Sequence, residues 1–264
     1  MPKNKSSKNV KNVKSVKSVK SVKNDDKNQI PINSTVKPSL KLLKWPTISF
    51  KSNLQLKTLL ENQIVIIPSF LTSQECTNLI NFIDQNIPLE KISITSFKKK
   101  SDEAFRDNDR FSIEDIKFAE YLYNDTGLSS LISQQQHSQQ SWTSSLLKNN
   151  DNDKVSGLNS NIRIYKYNTG QRFEQHYDDS VKDFLGRKSD WTLLIYLNGG
   201  ENDYEMPLLG GETVFYKSKK HEIIVKPERG MALLHKHGHD CLLHEAKEVK
   251  KGFKYVLRSD LMFS

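Results

Sequence analysis

Apolar positions along this chain change rhythm twice. Over "KNVKNVKSVKSVKSVK", valine recurs at every third position from Val10 to Val22. That period belongs neither to a strand, whose side chains alternate, nor to a helix at 3.6 residues per turn. Lysine keeps the same period, so the valines cannot form a buried face. Residues 1–38 are therefore expected to be a disordered, low-complexity tail.

From residue 39 to 160 the pattern is mixed. Segment 41–50 ends like a strand. "NLQLKTLLENQ" (53–63) reads as a short helix with Asn53 as N-cap. "IVIIPSF" (64–70) is a β-branched run closed by proline, hence a buried strand. In "LTSQECTNLINFIDQN" (71–86), Thr72 and Glu75 have capping-box spacing, and Leu79, Ile80, Phe82 and Ile83 make a helical apolar stripe. "ISITSF" (92–97) alternates as a strand. "SIEDIKFAEYLYNDTGL" (112–128) predicts an amphipathic helix running from Ser112 as N-cap to Gly127 as C-cap glycine. Residues 133–160 are polar and low in complexity, and are expected to be a long insertion.

After Asn161 the rhythm changes again. "IRIYKY", "WTLLIYLN", "GETVFY", "EIIVKP", "MALLH", "CLLHEA" and "FKYVLRSDLMF" are short apolar runs separated by turn signals, with no helical period. This predicts an all-β sandwich of about eight strands. The fold class expected for the ordered part is thus α+β, mainly β, with N-terminal helices packed on a jelly-roll core at 161–264 and a helix/strand support region at 39–160.

Charge sharpens the division. The net charge is +9, but residues 1–28 carry nine lysines against Asp25 and Asp26, leaving only +2 for the remainder. The basic character sits in the tail, where it could meet nucleic acid or acidic partners; the bland alternative is a solvated extension. Mean hydropathy is −0.64, and no run approaches the roughly 20 apolar residues of a membrane span. The start has no apolar core of a secretory signal, and there are only two cysteines, Cys76 and Cys241. A cytoplasmic or nuclear, reducing location is expected.

"FEQHYDD" (173–179) carries the first candidate chemistry. In a strand, His176 and Asp178 share a face and Tyr177 points away. An imidazole and a carboxylate are two of the three ligands of a 2-His-1-carboxylate face, which suits non-haem Fe(II). An isolated HxD is a weak signal. Candidates for the third ligand are His221, His235, His237, His239 and His244. His244 is favoured because Lys254 follows it in the terminal apolar strand, where a buried cation needs an anion such as a metal-bound organic acid. "HKHGHD" (235–240) is expected to be a turn at the pocket rim, Cys241 a packed thiol, Gly210 and Gly211 backbone turns, and "FRDNDR", with Arg106, Asn108 and Arg110, either a pocket face or a polar turn.

The ordered set "YKYNTGQRFEQHYD", "LLIYLN", "GGETVF", "KPERGMALL" and "HEAKEVKKGFKY" resembles the double-stranded β-helix core of Fe(II)/2-oxoglutarate dioxygenases, prolyl 4-hydroxylase-like branch. "IPSFLTSQEC" and "AFRDNDRF" resemble that branch's lead-in. The resemblance implies Fe(II) held by His176, Asp178 and His244, 2-oxoglutarate and O2 as co-substrates, and ascorbate as a further candidate. It implies Lys254 on the distal carboxylate of 2-oxoglutarate, Tyr167 lining the co-substrate pocket, Arg258 as a second candidate for the carboxylate, and Thr192 as an added hydroxyl. Hydroxylation of a C–H bond in a protein, at a prolyl residue by family analogy, or in a small molecule is the implied activity. The alternatives are a catalytically silent β-sandwich scaffold recruited by its tail and a zinc hydrolase using the same triad.

Overall fold

The computed structural model describes residues 43–93, 104–137, 154–200 and 203–264. The tail 1–38 lies outside the described residues. All described residues except Leu43 belong to one unit, Lys44–Ser264.

Two sheets face each other. The larger runs β1 (Lys57–Leu60), β2 (Ile64–Ile67), β12 (Ala232–Lys236), β8 (Lys188–Tyr196), β15 (Phe253–Phe263), β6 (Asn161–Asn168), β4 (Asp107–Glu114) and β3 (Glu90–Ser93) in spatial order, with β5 (Val155–Leu158) pairing the end of β15. The smaller runs β11 (His221–Val225), β10 (Thr213–Ser218), β13 (Leu243–Ala246) and β7 (Phe173–His176). A two-stranded ribbon, β9 (Leu209–Gly210) with β14 (Val249–Lys251), flanks them. Every pairing between named strands is antiparallel. Tyr165, Tyr196, Leu233 and Val256 from the larger sheet meet Phe215 and Val225 from the smaller one in a single apolar cluster. Burial of these side chains is what holds the sheets together.

Helices α1 (Ser73–Asn86), α2 (Ile116–Asn124) and α3 (Leu128–His137) come from the N-terminal half. Helix α1 starts where the sequence expects: Thr72 accepts from the Glu75 N–H, and the Glu75 carboxylate accepts from the Thr72 N–H at 2.8 Å. Its Asp84 accepts from Tyr255 Oη at 2.9 Å, docking the helix on β15. Trp45 stacks on Phe118 of α2, with centroids 3.9 Å apart, and donates Nε1–H to Asp115.

Several N-terminal expectations are corrected. No helix forms at 53–63: β1 occupies Lys57–Leu60 and pairs with β2, because an available sheet edge outweighs weak local helix propensity. Ser112 lies in β4, and Asp115 is the N-cap of α2, accepting from the Phe118 N–H. "DNDR" is likewise strand rather than turn, paired with β6. The stretch read as a polar insertion over 133–160 is narrower: α3 continues to His137 and β5 begins at Val155, while 138–153 lies outside the described residues. Of the strand expected at 92–97, β3 contains residues 92 and 93, and 94–97 lie outside the described residues.

Candidate metal centre and co-substrate cavity

Strand pairing assembles the site. β7 and β13 are neighbours, and their register sets His176 opposite His244. Asp178 follows β7 by two positions, so it returns to the same side, while Tyr177 is 62% exposed. One donor atom from each of His176, Asp178 and His244 lies within 4.8 Å of the other two. His176 Nε2 stands 3.9 Å from Asp178 Oδ1, and His244 Nε2 stands 3.7 Å from Asp178 Oδ2.

Backbone carbonyls orient both imidazoles. His176 Nδ1 contacts the Glu174 carbonyl at 2.7 Å, and His244 Nδ1 contacts the Leu242 carbonyl at 2.9 Å. A carbonyl only accepts, so each Nδ1 carries the proton and each Nε2 is turned toward Asp178. Two imidazole nitrogens and one carboxylate on one side of a point fit a divalent iron with open positions opposite. Ring contacts fix them further: Phe173 stacks on His176 at 3.5 Å and Phe215 on His244 at 5.4 Å.

Asp178 is held from behind by both oxygens. Arg258 donates Nη1–H to Oδ1 at 3.0 Å, and Thr192 donates its hydroxyl to Oδ2 at 3.1 Å. Thr192 in turn accepts from His237 Nδ1 at 2.9 Å, and His237 Nε2 accepts from the Ser189 hydroxyl at 2.9 Å. The donors run one way along this buried chain, from Ser189 through His237 and Thr192 to Asp178. Burial alone would push the Asp178 carboxyl up, but the Arg258 guanidinium and then His244 hold it well below the usual carboxylate range. Burial, then the neighbouring His244, pushes His176 down to about 4. For His244 burial pulls down, yet hydrogen bonds with Asp178 and Cys241 outweigh it and hold the imidazole at about 9.

A narrow cavity leads from these donors to Lys254. Lys254 pairs across the strands with Tyr167, and its ammonium lies 5.4 Å and 5.3 Å from the ring centroids of Tyr167 and Tyr196. It donates to the Gly211 carbonyl at 2.6 Å. Gly211 has φ +73°, and a Cβ there would come within 3.2 Å of the lysine chain, so glycine makes room for the cation. Burial pushes the Lys254 ammonium down to about 7.

The remaining sequence candidates scatter. Arg258 reaches the end of the cavity lined by His176, Asp178 and His244 and is engaged by Asp178 and Asp260. His221 and His239 are exposed. "HKHGHD" is only partly the rim turn expected: His235 belongs to β12 and points into the cavity, His237 is buried in the hydrogen-bonded chain, and a short 3-10 turn begins at Gly238. Arg106 also lines the cavity, its guanidinium over Tyr165 and Phe173 at 4.6 Å and 4.5 Å, braced by Asn108. His235 stood among the sequence candidates for a third ligand, but reading 235–240 as one turn hid that it lies at the end of a strand.

Comparison with known proteins adds three findings. Residues 162–259 match the family model described as the 2OG-Fe(II) oxygenase superfamily. No curated protein matches the chain in sequence. Among solved structures, a Trichoplax adhaerens prolyl hydroxylase in complex with a hypoxia inducible factor oxygen degradation domain peptide fragment matches with TM-score 0.50 and 18% identity, over 76% of this chain and 84% of that one. A viral collagen prolyl hydroxylase from Paramecium Bursaria Chlorella virus-1, as its 2OG complex, matches with TM-score 0.45 and 20% identity over 76% and 96%. A Pseudomonas putida prolyl-4-hydroxylase matches with TM-score 0.47 and 14% identity over 76% and 92%.

Proposed function

We propose that this chain, an Fe(II)- and 2-oxoglutarate-dependent dioxygenase belonging through residues 162–259 to the 2OG-Fe(II) oxygenase superfamily, hydroxylates a prolyl residue of a protein. In this reading His176, Asp178 and His244 hold the iron, and Lys254 receives the distal carboxylate of 2-oxoglutarate. The supporting observation is the convergence of those three donors at one end of a cavity whose other wall carries a buried ammonium.

Bound Fe(II) with 2-oxoglutarate and O2 supplies the oxidising chemistry that converts C–H to C–OH, with succinate and CO2 as the other products. The protein's part is placement. The Nδ1–H anchors of His176 and His244 keep both Nε2 atoms aimed at one point, where His244 gives up its Nε2 proton when a metal binds. Arg258 and Thr192 fix the rotation of the Asp178 carboxylate. Lys254 offers a charge-assisted hydrogen bond, and the buried rings of Tyr167 and Tyr196 exclude water around it.

A protein substrate is supported by the peptide bound to the Trichoplax adhaerens enzyme and by exposed Tyr177, Phe184 and Leu185 in this chain, on and just after the segment carrying the metal donors. Both cysteines are free thiols, which supports a cytoplasmic or nuclear location. Among the described residues no helix is long and apolar enough to cross a membrane. The lysine-rich tail is assigned to contact with an acidic partner or nucleic acid.

The test is succinate release coupled to a product one oxygen atom heavier, read by mass spectrometry of a peptide library treated with wild type and with His176→Ala. Prolyl-containing products absent from the variant are expected. Oxygenated small molecules alone would assign a small-molecule hydroxylase, and no 2-oxoglutarate turnover with any substrate would assign the silent scaffold.

A further inference from the structure

Four guanidiniums gather around Tyr165, and carboxylates balance only two of them. Arg258 is engaged by Asp178 and Asp260, and Arg163 stands 3.5 Å from Asp260. Arg106 and Arg110 are different. Among the described residues no carboxylate comes within ion-pair distance of either. Glu90, opposite Arg110 on β3, is exposed and makes no ion pair with it. Glu245, in the wall of the cavity, is engaged by Lys247 at 2.7 Å.

Local structure holds the unbalanced pair in place. Arg110 lies directly across from Tyr165 in the pairing of β4 with β6. Arg106 precedes β4 by one residue and bridges to Phe173, and by strand alternation it shares the face of Asn108 and Arg110. Asn108 is fully buried and accepts from Arg106 Nε at 2.8 Å, while the guanidinium lies over the rings of Tyr165 and Phe173. Phe173 stacks in turn on His176, so Arg106 is one ring removed from a proposed iron donor. A positive field results. Burial, then Arg106, pushes the Arg110 guanidinium below its ordinary value. Burial alone would push the Tyr165 phenol up, yet Arg258, Arg106 and Arg163 pull it down. Partly buried like charges without partners are costly until an anion arrives from outside. In the reading above 2-oxoglutarate is not that anion, because Lys254 and the metal take its two ends.

We propose that Arg106 and Arg110 clamp an aspartate or glutamate side chain of the substrate, so that the enzyme selects acidic segments of a protein. The inference rests on the reading of this chain as a peptide hydroxylase and names its substrate class. A guanidinium meets a carboxylate through paired, charge-assisted hydrogen bonds, and two of them on one strand face surround it. The clamp stands beside the cavity wall, so the acidic residue lies close to the hydroxylated one, within about three positions of an extended peptide.

The full chain, loaded with Mn(II) and 2-oxoglutarate under argon, is presented with a peptide library randomised on both sides of a central proline, and bound peptides are identified by mass spectrometry. Asp and Glu should be enriched near the proline. The lysine-rich tail is present in every arm, so enrichment that survives in both Arg106→Gln and Arg110→Gln would belong to the tail and overturn the proposal. The most enriched peptide and its Glu→Gln counterpart are then compared by isothermal titration. Wild type should favour the Glu peptide by about tenfold or more, the worth of one charge-assisted hydrogen bond. Arg106→Gln should bind both peptides alike, and Arg110→Gln, at the outer position, should keep only part of the preference. Arg110→Glu should turn the preference toward a lysine peptide. No recovered peptide, no acidic enrichment, or the wild-type preference in both Gln variants overturns the clamp. A parallel run in air with Fe(II) separates the two readings: acidic peptides held through Arg106 but returned without added oxygen would leave the clamp standing and remove the prolyl hydroxylase.

Discussion

Strand β15 presents two cations to the site, Lys254 and Arg258, four residues apart on one face and so about 13 Å along the strand. Their surroundings differ sharply. The Arg258 guanidinium is shared between Asp178 and Asp260 and also reaches Thr192. The Lys254 ammonium has two aromatic faces and one backbone carbonyl, and among the described residues Glu212 is the carboxylate that acts on it, from beyond ion-pair distance. A cation already neutralised by two buried carboxylates has little to offer an incoming one. A cation whose charge is suppressed by burial gains most from it. The difference assigns Arg258 to the metal carboxylate and Lys254 to the co-substrate, as a proposal that variants can break.

The largest effect is expected at the donors themselves. His176→Ala, Asp178→Ala or His244→Ala should lower 2-oxoglutarate decarboxylation by more than the roughly 10–100-fold typical of residues supporting a ligand from outside; activity near wild type in any of them would remove that residue from the set. Next, Lys254→Ala should raise the KM for 2-oxoglutarate by about 10–100-fold, the loss of one charge-assisted hydrogen bond, with iron affinity nearly unchanged. Arg258→Lys should do the reverse, weakening Fe(II) or Mn(II) binding by about 10–100-fold and leaving the co-substrate KM second in size. If the two profiles exchange, the assignment of the cations is inverted.

Smaller effects sharpen the contrast. Free Lys254 is charged below about pH 7, and a bound dicarboxylate raises its pKa. Affinity for 2-oxoglutarate should therefore be full below that pH and fall, by up to about tenfold per unit, as pH rises through it. A flat profile from pH 6 to 9, measured by isothermal titration at saturating metal, would argue that the lysine keeps its charge throughout. Metal uptake has the opposite slope: it displaces a proton from His244, held at about 9, so apparent Mn(II) affinity should climb with pH up to that value. Deletion of residues 1–38 should leave turnover of a small peptide unchanged.

How much of this was legible from the residues alone depends on where each element finds its partner. The C-terminal strands announce themselves because β-branched and aromatic runs there are bounded by glycine and proline, and the ordered motifs carry their own register. Helix α1 was legible because its capping box is a purely local hydrogen-bond pattern. β1 and β4 were not. "LQLKTLL" and "DNDRFSIE" have weak or polar local signatures, and they become strands only because β2 and β6 offer edges far away in sequence. The spacing of His176 and Asp178 pointed to a shared face, whereas the roles of His235 and His237 turn on a strand ending between them. Arg258 and Lys254 were indistinguishable by parity, and only the carboxylates reaching them from other strands separate the two.

Strand β7 is four residues long and lies at the margin of the smaller sheet, tied to β13 on one side and to Arg106 by a single bridge on the other. An ion joining His176 to His244 would act as a cross-strand rivet for this margin. The amide protons of the FEQH segment should then exchange with solvent much faster in the demetallated protein than in the loaded one, while those of β15 stay protected in both. Loading with metal would thus be legible as local rigidity, before any substrate is present.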